Sequence, residues 1–263
     1  MTTLVDLRMV SKNHDRYEQA VRSRPAVQRA IAYFQDNIGK ITSTEDFMKD
    51  DKLYRFVLEA FDLGSQAKSR GLIRKVLEEG VSDQSSTANR MSDSKFREMA
   101  TILGFAENDG DNLKQPAVVQ AIVDRYVDVT LEVESEDRNP AVRLGLYFQR
   151  RSANVTNWYQ VMADNALRKV VYTALGLPDQ TALLDVDKQK ALLEKRMDIA
   201  DLKSPAKVAK FLDRFAAMYD MRNGGSTGTA AMPSIGPISR SGRASVISID
   251  PSITMTLMKF PRF

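Results

Sequence analysis

Residues 33–63 read YFQDNIGKITSTEDFMKDDKLYRFVLEAFDL, and residues 147–177 read YFQRRSANVTNWYQVMADNALRKVVYTALGL. Shifted by 114, the two stretches share ten of 31 positions, from Tyr33/Tyr147, Phe34/Phe148 and Gln35/Gln149 through to Leu63/Leu177. Unrelated stretches of this length would share roughly two, so the pattern reads as two copies of one unit. Just upstream, Pro25-Ala26-Val27 matches Pro140-Ala141-Val142 with a slip of one residue. The period is too long for a solenoid, whose units run about 20–45 residues. The copies therefore read as two related helical subdomains, or as pseudo-symmetric halves of one bundle.

Each copy carries the same helical grammar. Asp50 is placed to cap a helix whose apolar stripe is Leu53, Phe56, Val57, Ala60 and Phe61. Asp164 stands in the same relation to Leu167, Val170, Val171, Ala174 and Leu175. Gly64 and Pro178 are expected to stop these helices, and Thr42 and Thr156 to start the short helix before each. In both copies two large apolar residues precede a glutamine, which suits a helix whose Gln35 or Gln149 amide makes a structural hydrogen bond.

Outward from the copies, Pro25 opens a helix through Ala26, Val27, Ala30, Ile31 and Phe34. Residues 1–24 are polar and mixed, with helical spacing at Tyr17, Ala20 and Val21. Phe96, Met99, Ala100 and Leu103 predict a helix ending at Gly104, and Ser204-Pro205 opens one through Val208, Phe211, Leu212 and Phe215. Between the copies lies an acidic loop at Ala106–Asn112. Pro116–Glu134 then favours a helix, with a strand open at its β-branched end, Val127–Val133. The domain reading is 1–110, a connecting segment 111–139, a second repeat 140–222, and a tail 223–263. Gly, Ser, Thr and Pro fill residues 223–243, as in a flexible linker. The β-prone stretch beyond it, with Ile249, Ile253, Leu257 and Met258, is expected either to pack on its own body or to add to a partner.

The 263 residues are 43% hydrophobic and 27% charged, ordinary values for a globular chain. There is no cysteine, which excludes disulfides, thiol nucleophiles and cysteine-ligated metals. His14 is the sole histidine, set in a polar stretch, and is expected to be a plain surface residue. The net charge is +4, yet nine Lys/Arg against three Asp/Glu fall after residue 202, so the body is slightly acidic. No zinc-finger spacing, RNA-binding signature or basic recognition helix accompanies the charge, so a nucleic-acid partner is not expected. No apolar run suits a membrane span, and Asp6 interrupts what would be a signal peptide's apolar region.

Candidate chemistry is sparse. Counted from Glu107, the Asp109-Gly110-Asp111 loop lacks the glycine and glutamate that a calcium loop requires. Gly224-Gly225-Ser226-Thr227-Gly228 is not followed by the lysine of a phosphate loop. No catalytic residue, cofactor or metal ligand is assigned. Trp158, the sole tryptophan, reads as a core anchor, with a partner contact as the alternative.

Taken whole, IAYFQDNIGKITSTEDFMKDDKLYRFVLEAFDL, GLIRKVLEEGVSDQSSTANRMSDSKFREMATILGF, NWYQVMADNALRKVVYTALGLP and DKQKALLEKRMDI resemble the alphaproteobacterial domain-of-unknown-function family 1217. The resemblance spans roughly residues 20–220 of the numbered chain. Its members are often encoded among flagellar genes, and it brings no activity, cofactor or catalytic residue. The expectation is an all-α, non-enzymatic, flagellum-associated protein acting in structure, assembly or export through protein contacts. It would be cytoplasmic or leave by the flagellar route. The alternative is a small-molecule or regulatory binding protein with a pocket between the two halves.

Overall fold

The computed structural model describes residues 2–223, and these are all-α, with no strand among them. The first copy and its flanks give α1 (Thr3–Lys12), α2 (His14–Arg22), α3 (Pro25–Asn37), α4 (Thr44–Lys49), α5 (Asp51–Ala60), α6 (Arg70–Glu79), α7 (Thr87–Arg90), α8 (Ser94–Leu103) and α9 (Phe105–Asn108). After them come α10 (Pro116–Arg138), α11 (Pro140–Ser152), α12 (Trp158–Ala163), α13 (Asn165–Ala174), α14 (Val186–Glu194) and α15 (Pro205–Asn223). The linker and apolar tail expected after residue 223 lie outside the described residues, and so do Ile249, Ile253, Leu257 and Met258.

The two matched stretches adopt the same local structure at the same offset. Shifted by 114, α4 falls on α12 and α5 on α13, end to end. Asp50 caps α5 by accepting from the Lys52 and Leu53 N–H groups, and Asp164 caps α13 from Ala166 and Leu167. The other oxygen of each aspartate has a second role. Tyr33 donates its hydroxyl to Asp50 Oδ2 at 2.7 Å, and Tyr147 donates to Asp164 Oδ2. One carboxylate thus satisfies the orphan N–H groups of a helix start and ties that start to the preceding long helix. The tyrosine makes the polar link expected of its neighbouring glutamine. Gln35 and Gln149 are both exposed. The short helices are capped one residue later than expected, by Ser43 and Asn157 rather than the threonines, because those side chains reach the N–H three residues on.

One helix end differs from expectation: α5 stops at Ala60, short of Gly64, whereas α13 ends at Ala174, before Pro178 as expected. Both close by the same backbone device. Leu63 N–H donates to Leu58 C=O and Leu177 N–H to Tyr172 C=O, with a left-handed residue just before: Asp62 (φ 55°) in one copy, Gly176 (φ 68°) in the other. A Cβ at Gly176 meets nothing closer than Met218 Cε at 3.5 Å, so the backbone angle alone resists substitution. Gly176→Ala is expected to cost about 1 kcal/mol in urea denaturation, with Gly176→Asn costing less.

The boundaries expected at 110 and 139 are absent. Met1–Ser226 is one compact unit, and a single contiguous core runs from Leu7 to Ala216. The segment between the copies is not a linker. It is α10, one uninterrupted helix that packs against α2, α5 and α11. Its valines lie on several faces because several helices cover it, which is why the β-prone end stays helical. Phe56 of α5 stacks between Phe34 of α3 (4.4 Å between ring centres) and Tyr126 of α10 (4.1 Å). In the second copy Phe148 instead stacks on Phe211 of α15 at 5.5 Å. Residues 1–24 form two helices. α1 lies against α11 and α15, where Gly145 leaves room for Leu7: a Cβ at 145 would fall 2.7 Å from Leu7 Cδ1. Arg8 pairs with Asp213 at 2.8 Å, and Thr3 N–H donates to Asp220 at 2.9 Å.

Candidate functional site

Trp158 is 3% exposed and belongs to the core, so it is no partner contact. It opens α12, where an apolar side chain points inward and its neighbour points out. That neighbour, Tyr159, is exposed. Its hydroxyl donates to Asp187 of α14 at 3.0 Å. Beside it, the 3₁₀ turn Asp179–Leu183 and the start of α14 present Leu183, Leu184 and Val186 to solvent, with Leu183 86% exposed. Four large apolar side chains on one edge of the second copy make a candidate contact surface.

A partly buried charge network ties the copies together. Asp62, held left-handed at the end of α5, pairs with Lys95 of α8 and Arg143 of α11, each at 3.1 Å. Glu98 of α8 is bound by Arg125 of α10 and Arg151 of α11. Burial works against the charge of Glu98, yet the two guanidiniums hold its carboxyl below the usual range. Glu132 of α10 is buried and takes Arg150 of α11 bidentately, at 2.6 and 3.0 Å. Burial pushes the Glu132 carboxyl up, and the facing guanidinium pulls against that push. Burial and the nearby Asp164 carboxylate raise Tyr147.

A cleft of about 320 Å³ lies between the copies, walled by α8 on one side and by α11–α13 on the other. Glu98, Arg97, Arg151 and Asp164 line it. A larger cleft, about 460 Å³, lies between α1, α11 and α15, with Leu7, Leu202, Val208 and Leu212 along it and Arg8 and Lys12 at its rim.

His14 is not a plain surface residue. It is half-buried at the start of α2, with Nδ1 3.5 Å from Glu18 and Nε2 3.9 Å from Asp128 of α10. Burial, and then the facing Glu18 carboxyl, push Asp128 up to about 7. The i, i+4 spacing of His14 and Glu18 is visible in the sequence. Asp128 comes from a helix remote in sequence, and no local pattern announces it.

These features define an all-α protein built as one helical unit, in which α10 packs against α5 of the first stretch and α11 of the second. The chain matches over residues 60–208 the family described as protein of unknown function DUF1217, and it belongs to that family. The match takes in the whole second stretch, whereas all of the first stretch before Ala60 precedes it. The chain is also similar to a protein of Agrobacterium tumefaciens solved by X-ray crystallography. The two are 38% identical with a TM-score of 0.78, over 84% of this chain and 94% of that one. No curated protein matches the chain.

Proposed function

We propose that this chain is a non-enzymatic, flagellum-associated protein that serves structure, assembly or export by binding another protein. The exposed apolar edge of Tyr159, Leu183, Leu184 and Val186 carries the contact half of this reading. Leaving a leucine almost wholly in water gains the monomer nothing, whereas a partner that covers it recovers the burial energy. The flagellar half rests on the family, whose members are often encoded among flagellar genes. An in-frame deletion strain, with flagella counted and measured by electron microscopy, tests it. Few or short flagella are expected. Wild-type number and length would remove the assembly role.

The surface itself has a sharper test. Leu183→Asp with Val186→Asp is expected to leave the melting curve of the purified protein within about 0.5 kcal/mol of wild type, because both side chains already face solvent. In the deletion strain, the same variant is expected to fail to restore flagella. Full restoration would show that this edge binds nothing the function needs.

The second reading, a ligand held between the copies, has the 320 Å³ cleft in its favour. Against it, Arg151 there is already paired with Glu98, so an anionic ligand would meet only the exposed Arg97 without displacing an ion pair.

A further inference from the structure

We propose that His14, Glu18 and Asp128 form a binding site for one divalent transition-metal cation of the zinc type. His14 and Glu18 stand one turn apart on the same face of α2, and Asp128 meets them from α10. One ligand atom from each lies within 4.8 Å of the others. Zinc-type ions hold imidazole nitrogen and carboxylate oxygen at about 2.0–2.2 Å, so their ligand atoms sit about 3–4 Å apart. Small side-chain rotations close that difference.

Three observations show a site short of a cation. First, Asp128 Oδ1 is shielded from solvent and has no hydrogen-bond partner, an unusual state for so strong an acceptor. Second, both distances to the imidazole exceed hydrogen-bond range, so neither acid fixes the ring and one of its nitrogens is available to a metal. Third, among the described residues neither Glu18 nor Asp128 makes an ion pair with a lysine or arginine. Arg150 acts on Asp128 only at longer range, because its guanidinium is held by Glu132. The two carboxylates meet here with only the imidazole of His14 beside them, and a bound cation would offset their mutual repulsion.

One imidazole with two carboxylates suits zinc and its first-row neighbours better than calcium or magnesium, which favour all-oxygen shells. Three protein ligands on two helices would clamp α2 to α10, a structural cross-link that leaves the proposed binding edge untouched.

The test uses the untagged full chain, stripped with chelator and titrated with Zn²⁺ by calorimetry, with Co²⁺ absorption as a second readout. One equivalent is expected to bind and to raise the melting temperature. His14→Ala and Asp128→Asn are each expected to weaken binding by at least about tenfold and to abolish the thermal shift. Asp128→Asn relieves the carboxylate repulsion, so it is expected to fold, and its circular dichroism and metal-free melting curve check that. No binding by the wild type would overturn the proposal. So would equal binding by folded variants. Neither result bears on the binding edge, which lies on other elements.

Discussion

Phe56→Ala is expected to destabilise the protein by about 3–5 kcal/mol, seen as a fall in Tm of about 10 °C for a body of this size. The ring lies flat between Phe34 and Tyr126, at 16° and 20° to their planes, and is 4% exposed. Its loss leaves a cavity at the seam of α3, α5 and α10, where three rigid helices cannot all move to fill it. It also removes two stacked pairs, each worth about 0.5–1.5 kcal/mol beyond area. Phe56→Leu keeps much of the volume and is expected to cost clearly less. Equal losses from the two variants would mean that stacking, not the cavity, is decisive at this seam.

Glu132→Ala is expected to cost about 3–5 kcal/mol in denaturant unfolding, more than its area alone would suggest. It strips Arg150 of a bidentate partner and leaves a guanidinium inside the protein with only the Tyr147 ring, 5.3 Å away, and a distant carboxylate to face. The double variant Glu132→Leu with Arg150→Met is expected to recover most of the loss, since replacing both members removes the unpaired charge. If the double variant is as unstable as the single, the pair is more than a compensated ion pair, and the packing of α10 on α11 depends on its geometry.

The repeated stretches were the most legible part of the chain. Asp50 and Asp164 are caps, and the apolar stripes behind them are core, because both are local properties of one helix turn and its face. The helix stops were less legible. Gly64 and Pro178 look like terminators, but the chain had already turned at Asp62 and Gly176. An aspartate is a rarer occupant of that left-handed position than glycine, and here it stays because Lys95 and Arg143 hold its carboxylate. Domain boundaries are hard to read for a similar reason. The valine-rich stretch between the copies resembles a connector until helices on several sides are seen to cover it. Trp158 was legible as an anchor, whereas Tyr159 beside it, the exposed member of the pair, carried no signal of its own. Gln35 and Gln149 drew attention by recurring, yet the recurring hydrogen bond belongs to the tyrosines two residues before. In sequence His14 has only polar neighbours, which mark a surface residue. Its partner across the helix interface, Asp128, could not be read that way.

The way α1 is fastened has a consequence for the order of assembly during synthesis. Arg8 and Thr3 are made well before their partners, since Asp213 and Asp220 lie 205 and 217 residues later. By contrast Tyr33 and Asp50 lie only 17 residues apart, so their contact can form early. During synthesis, therefore, Leu7 can seat against Gly145 of α11 but stays open toward α15 until that helix is made. α15 closes over α1, so a chain cut short before Pro205 leaves bare the apolar face of α1 that α15 covers, the kind of surface that chaperones and proteases recognise.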